Sequence, residues 1–291
     1  MALFHEDGNR FTPEHAEGVD FDLLELYKEE AYMLKGRRAI VTGSTTGIGQ
    51  GIANALAAAG CAVMLNGFGE AAEIEAQRAA MSKQYGVEVL YNGADLAKPE
   101  DCEQLVRDTE KRLGGVDILV NNAGIQYISP IEDFPIERWQ AVIAVNLSSA
   151  FYTMRAALPC MKARDWGRLI NISSAHGLVA STNKCAYVAA KHGILGLTKA
   201  VALENAKTGV TCNAICPGWV LTELVKKQIA LRAQNQGISY EQAQQNLIAT
   251  EPTGRFSSPE EMGGLAVFLC SEHAGNITGA SFCSDGGYTA Q

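Results

Sequence analysis

Closely spaced cysteine pairs are missing from this sequence. Its eight cysteines, at 61, 102, 160, 185, 212, 216, 270 and 283, stand singly, with no Cys-x-x-Cys and no Cys/His cluster at zinc spacing. That argues against a disulfide scaffold or a structural zinc site, and the expectation is reduced thiols and no metal. A surplus of basic charge is missing too. Lys and Arg number 24 against 32 Asp and Glu, a net charge of -8, which argues against a general nucleic-acid partner. Long apolar runs are absent: the most apolar stretch, Ile52 to Phe68, is broken by Asn54, Gly60 and Asn66, so no membrane span is expected there. The first residues, Met-Ala-Leu-Phe-His-Glu-Asp-Gly, carry neither a basic nor an apolar leader segment, and the expected setting is the cytoplasm.

What is present is an ordinary globular composition. The chain has 291 residues, 47% hydrophobic and 19% charged, which suits one large α/β domain. Residues 1–34 form an acidic N-terminal extension containing Glu6, Asp7, Glu14, Glu17, Asp20, Asp22, Glu25, Glu29 and Glu30. Within it Asp22 to Tyr32 patterns as a short amphipathic helix. The extension reads equally as an appendage outside the fold or as an arm on a neighbouring subunit.

From residue 35 to 291 short apolar runs alternate with longer helical patterns. Strands are expected at Arg38–Thr42, Cys61–Asn66, Val87–Tyr91, Val116–Asn121, Arg168–Ile172, Val210–Ile215 and Ala280–Ser284, with helices such as Ala71–Tyr85, Lys98–Leu113 and Ile136–Lys162 between them. Apolar strands separated by helices predict a single Rossmann-type, doubly wound parallel sheet of about seven strands, covered on both faces. The segment from about 222 to 250 is helical in pattern but polar, with Lys226, Lys227, Gln228, Gln234, Gln242, Gln244 and Gln245.

The first strand runs into Thr42-Gly43-Ser44-Thr45-Thr46-Gly47-Ile48-Gly49, where a helix begins. Small residues there let the backbone approach a pyrophosphate, and the helix N-terminus supplies N–H donors. The second strand ends in Leu65-Asn66-Gly67-Phe68-Gly69. It has no cation for a 2′-phosphate, which argues against NADP, and no acid for a ribose, which leaves the argument for NAD incomplete. NAD is the expected cofactor.

Tyr187 and Lys191 stand four apart, so on a helix the phenol and the ammonium share a face. A cation about 4 Å from the phenol would lower its pKa by up to ~3 units, enough to make it useful for proton transfer. Ser174 closes an earlier strand, and Asn121-Asn122-Ala123-Gly124 closes another.

With Asn146 and Pro217-Gly218, these motifs resemble the short-chain dehydrogenase/reductase family from about Leu34 to Gln291. The resemblance implies Tyr187 as proton carrier, Ser174 on the substrate oxygen, Lys191 on the ribose and Asn146 in a water relay. It also implies a cofactor site made of Gly43, Thr45, Gly47, Ile48, Gly49, Phe68, Asp95, Leu96, Asn122, Ala123, Gly124, Pro217, Gly218 and Val220, together with Tyr187 and Lys191. Within the family, Ser174 to Ser181, Ile131 to Pro135, Ile215 to Val220 and Lys227 to Ile229 are similar to the bacterial D-3-hydroxybutyrate dehydrogenases. That branch implies a small anionic 3-hydroxy acid gripped by Gln126, His176, Lys184 and Gln228, beneath a helical lid and in a homotetramer. Tyr288 follows Asp285-Gly286-Gly287 where the branch usually has Trp, which would enlarge the pocket. Taken singly, each clamp residue also has an ordinary structural reading. An NADPH-dependent 3-oxoacyl-thioester reductase is the alternative on the same fold, and a non-catalytic scaffold protein is a third reading.

Overall fold

The computed structural model describes residues 33–291, and the helix expected at Asp22–Tyr32 lies outside the described residues. Seven strands, β1 (Arg38–Val41), β2 (Ala62–Asn66), β3 (Val89–Asn92), β4 (Ile118–Asn121), β5 (Gly167–Ile172), β6 (Val210–Pro217) and β7 (Ser281–Ser284), form one sheet in the order β3-β2-β1-β4-β5-β6-β7. Every neighbouring pair is parallel. β4, β5 and β6 are buried along their whole length, because helices cover both faces of the sheet.

The helices are α1 (Gly47–Ala58), α2 (Ala71–Tyr85), α3 (Pro99–Leu113), α4 (Ile136–Ile143), α5 (Ser149–Ala163), α6 (Cys185–Glu204), α7 (Glu223–Gln236), α8 (Tyr240–Ile248) and α9 (Pro259–Cys270). One core lies between the sheet and α1 and α9, built on Ile52, Leu56, Val63, Ile170 and Met262. The other lies beneath α3, α5 and α6, built on Leu105, Leu119, Met154, Leu169 and Ile194. Leu34 belongs to the first core and its N–H donates to the Ala59 carbonyl at 3.0 Å, so the domain begins one residue before the expected boundary at 35.

The helix expected to run unbroken from Ile136 is divided by a π turn at Ala144–Ser148. The whole run Ile136–Ala163 is long and apolar enough by composition to cross a membrane, yet Ala150, Met154, Ala157 and Met161 on it face the core. β2, β3 and β4 start one or two residues later than the apolar runs suggest, since Cys61, Val87 and Val116 are approach residues outside the ladder, whereas β5 starts one residue earlier, at Gly167.

The chain winds one way from β1 through β2 to β3 and then crosses to β4, so a crevice opens at the C-terminal ends of β1 and β4. Beside it α7 and α8 form a helical hairpin with its own small core of Val225, Ile229, Ala233, Ala243 and Leu247. Thr222 and Ser239 cap the two helices, their hydroxyls accepting from the N–H groups of Val225 and Gln242. Lys226, Lys227, Gln228, Gln234, Gln242, Gln244 and Gln245 lie outside that small core, together with the exposed Leu224 and Leu231.

Candidate active site

The glycine loop ends β1 and opens α1. Gly43 and Gly47 have φ of 62° and 59°, the left-handed region where a side chain is strained. A Cβ on Gly43 would stand 2.9 Å from the Ala123 Cα, and one on Gly49 would stand 2.3 Å from the Gly43 carbonyl oxygen. No side chain caps α1, since the Thr46 hydroxyl makes no bond to the first turn. A tight cradle at an uncapped helix N-terminus fits the pyrophosphate of a dinucleotide.

The loop after β4 is stapled to this cradle. The Thr42 hydroxyl accepts from the N–H groups of Asn122 (2.9 Å) and Ala123 (3.1 Å), and the Asn122 amide donates back to the Thr42 and Gly43 carbonyls. Thr45 donates to the Phe68 carbonyl at 3.1 Å, which ties the end of β2 to the same loop and leaves the Phe68 ring exposed. Asn66 spends its amide on the Asn92 and Ala94 carbonyls, so neither ion nor free amide stands at that strand end. Asp95 follows β3, accepting from the Ala97 N–H at 3.1 Å. Leu96 and Val220, by contrast, turn their side chains into the cores, away from the crevice.

Asn146 lies in the π turn, a break of the kind often found at functional sites. Its Oδ1 accepts from the Ile125 N–H at 2.8 Å and its Nδ2 donates to the Ile125 carbonyl at 2.9 Å. The amide thus pins the loop that carries Gly124 and Gln126. A buried chain running from Thr153 through Asn121 and Asn171 to Thr198 holds β4 and β5 to α5 and α6 behind it.

Ser174, Tyr187 and Lys191 converge where β5 meets α6. The Ser174 hydroxyl stands close enough to the Tyr187 phenol to favour its ionised form, and its Oγ accepts from the His176 N–H at 3.1 Å. Lys191 is 3% exposed, its Nζ donates to the Ile172 carbonyl at 2.7 Å, and it lies 5.6 Å from the Tyr187 ring centroid. This corrects the expected electrostatics. Burial pushes the phenol up from its ordinary value, against the influence of Ser174, and burial also brings Lys191 down to about 8. The ammonium is bound to the Ile172 carbonyl, and its charge does not offset the effect of burial on the phenol.

Of the two groups Lys191 therefore gives up its proton first, near 8. Oxidation of an alcohol needs the pair one proton short, so kcat/KM for oxidation should rise with pH through about 8 and then level. Lys191→Met should move that limb up by more than about one unit, because only the buried phenol is then left to titrate. Initial rates from pH 6 to 10.5 check both.

Gln126, His176, Lys184, Tyr187, Gln228 and Tyr288 line one cavity of about 810 Å³ together with Ser174 and Trp219. Lys184 stands 5.9 Å over the Trp219 ring, and His176 meets Tyr288 edge to face at 6.2 Å. Burial, and next the Lys184 charge, hold His176 below its ordinary 6.5, so the imidazole is neutral at pH 7 and supplies no charge there. Its Nδ1 is buried without a hydrogen-bond partner, an open polar atom in a site otherwise suited to a carboxylate.

Sequence reasoning missed Glu251 in this wall. It is buried, its Oε1 accepts the Trp219 N–H, and burial raises its pKa. A lone acid after a helix carries no motif. It missed Arg232 as well, which also lines the cavity; its spacing of four from Gln228 was the available signal.

Helix α1 offers a dinucleotide its N-terminus, and the Ser174 and Tyr187 hydroxyls in the cavity offer a proton route. A protein with both is a nicotinamide-dependent oxidoreductase. Residues 43–289 match the family described as enoyl-(acyl carrier protein) reductase. A D-beta-hydroxybutyrate dehydrogenase of Cupriavidus necator is 57% identical over 260 residues, 89% of this chain and 100% of the relative. Another of that name from Rhizobium meliloti is 51% identical, over 88% of this chain and 99% of its own. A solved structure from Sinorhizobium meliloti 1021, assigned to the short-chain alcohol dehydrogenases, superposes with a TM-score of 0.80 at 36% identity, covering 90% of this chain and 99% of its own. The chain belongs to the short-chain dehydrogenase/reductase family.

Proposed function

We propose that this enzyme catalyses the reversible, NAD-dependent oxidation of (R)-3-hydroxybutyrate to acetoacetate. The observation that carries the reading is the cavity that Gln126, His176, Lys184 and Gln228 line together with Ser174 and Tyr187. Amide, imidazole and ammonium groups sharing one cavity with the proton-transfer residues support a short acid with a 3-hydroxyl as the substrate. The two relatives named D-beta-hydroxybutyrate dehydrogenase support the same substrate.

A nicotinamide held at the α1 cradle would supply the hydride acceptor for the alcohol carbon. Ser174 holds the substrate oxygen, and Tyr187 takes the hydroxyl proton. Lys191 orients the cofactor ribose and keeps a mobile proton beside the phenol. Asn146 fixes the Ile125 peptide and with it the loop bearing Gln126. Lys184 supplies the charge for the carboxylate, while neutral His176 offers a ring nitrogen. Tyr288, narrower than an indole, leaves room for one further carbon, so 3-hydroxyvalerate is an expected second substrate.

NAD over NADP is supported by the β2 end, where Asn66 is spent on backbone carbonyls and Gly67 to Gly69 bring no cation. A homotetramer is supported by the exposed Ile136, Trp139 and Phe151 of α4 and α5. A cytoplasmic setting is in keeping with eight free thiols. The test is the initial rate at 340 nm with (R)- and (S)-3-hydroxybutyrate, each with NAD⁺ and NADP⁺. Turnover confined to the (R) acid and NAD⁺ is expected. Activity only on acetoacetyl thioesters with NADPH would overturn the reading.

A further inference from the structure

The cavity holds more positive charge than the carboxylate clamp uses. Lys184 enters it from the N-cap of α6, and Arg232 enters it from the lid helix α7. On α7, Gln228 and Arg232 are four residues apart, so they share one face about one turn from each other, and both line the cavity. Asn235 follows on the same stripe. Among the described residues neither Lys184 nor Arg232 forms an ion pair with a carboxylate. The acid in this wall, Glu251, is turned to the Trp219 N–H and lies against Gly218 and Gly286. The two cations feel each other, since the Arg232 charge, second to burial, lowers the Lys184 pKa. Two like charges on separate elements, with no counter-charge between them, repel; an anion between them turns that repulsion into two attractions.

We infer that Arg232 is a further carboxylate-recognition residue, carried by the lid, and that a substrate carboxylate held between Lys184 and Arg232 ties α7 to the opposite wall of the cavity. The inference rests on the acid substrate assigned above. It makes the lid selective: an anionic 3-hydroxy acid engages α7, and a neutral analogue of the same shape does not. Arg232 is exposed, so an anion reaches it without displacing a partner. Lys226 and Lys227, on the same helix, are absent from the cavity wall, and Lys226 is paired with Glu223 at 2.7 Å.

The experiment compares the full chain with its Arg232→Gln and Arg232→Lys variants on (R)-3-hydroxybutyrate and on its neutral methyl ester. Arg232→Gln is expected to raise KM for the acid about tenfold with kcat within about twofold, and to leave KM for the ester within about twofold, because only the charged substrate uses the guanidinium. Arg232→Lys should bring the acid back to within about threefold of the parent. An unchanged KM for the acid, or an equal rise for acid and ester, overturns the inference.

A second readout needs no turnover: titration with butyrate, followed by the fluorescence of Trp219 in the cavity wall. Butyrate binding weakened about tenfold in Arg232→Gln supports the role of Arg232 even if the parent fails to oxidise hydroxybutyrate, a failure that would overturn only the assigned reaction. Equal butyrate affinity in the two proteins, or no binding to either, overturns the role of Arg232.

Discussion

Tyr187→Phe should lower kcat for hydroxybutyrate oxidation by about 10³-fold while leaving NAD affinity and folding close to those of the parent. The substitution removes one oxygen from a ring held by its neighbours on α6 and by the wall of the cavity. Lys191 keeps its bond to the Ile172 carbonyl, which does not involve the phenol. Ser174 keeps the His176 N–H, so the turn carrying His176 stays anchored. What disappears is the group that takes the alcohol proton as hydride leaves. A fall below about tenfold, measured alongside an NADH fluorescence titration, would assign the proton to another group.

Lys184→Met should raise KM for the acid by about 10²-fold with a much smaller change in kcat. The stem of Met fills the space beside Trp219, so the loss is the charge. A charge-assisted hydrogen bond inside a cavity contributes about 1.5–3 kcal/mol, which is about tenfold to a hundredfold in affinity. The same variant carries a pH signature. Lys184 is one of the two influences that lower the His176 pKa, the other and larger being burial. Without Lys184 the imidazole titrates at a higher pH than in the parent. KM of the variant should therefore fall as the pH drops through the imidazole range, because protonated His176 regains part of the missing charge. In the parent Lys184 carries that charge throughout the range, and the dependence should be weak. Steady-state KM between pH 5.5 and 8.5 distinguishes the two, and a flat variant profile would place His176 outside the carboxylate contact.

Much of this site was legible before any fold was known. The Thr42 to Gly49 loop, the run of apolar strands and the four-residue step from Tyr187 to Lys191 are local patterns. Local backbone geometry fixes what such patterns do: a glycine turn opens a helix, and residues four apart share a face. The helices between 222 and 250 were visible for the same reason, as a polar stretch at helical period.

The interactions that set the chemistry were decided by the tertiary structure, because they join residues far apart in the chain. Asn146 was expected on an uninterrupted helix. The π turn that presents it to Ile125 depends on packing between α4, α5 and the β4 loop, which no helical period encodes. Lys191 had the right neighbour in sequence, but its 5.6 Å placement over the ring and its low pKa come from burial under β5 and a bond to Ile172. His176 is held below its ordinary pKa by its depth in the cavity and by the nearness of Lys184, neither of which its position in the sequence shows. Glu251 and Arg232 carry no motif and acquire meaning only where the lid closes the wall of the cavity. By itself the sequence determined the fold and where a glycine loop would open the first helix, since short-range periodicity and chain order specify these. Desolvation and charge–charge distance set the protonation states and the arrangement of cations around the substrate, and both exist only once the chain is packed.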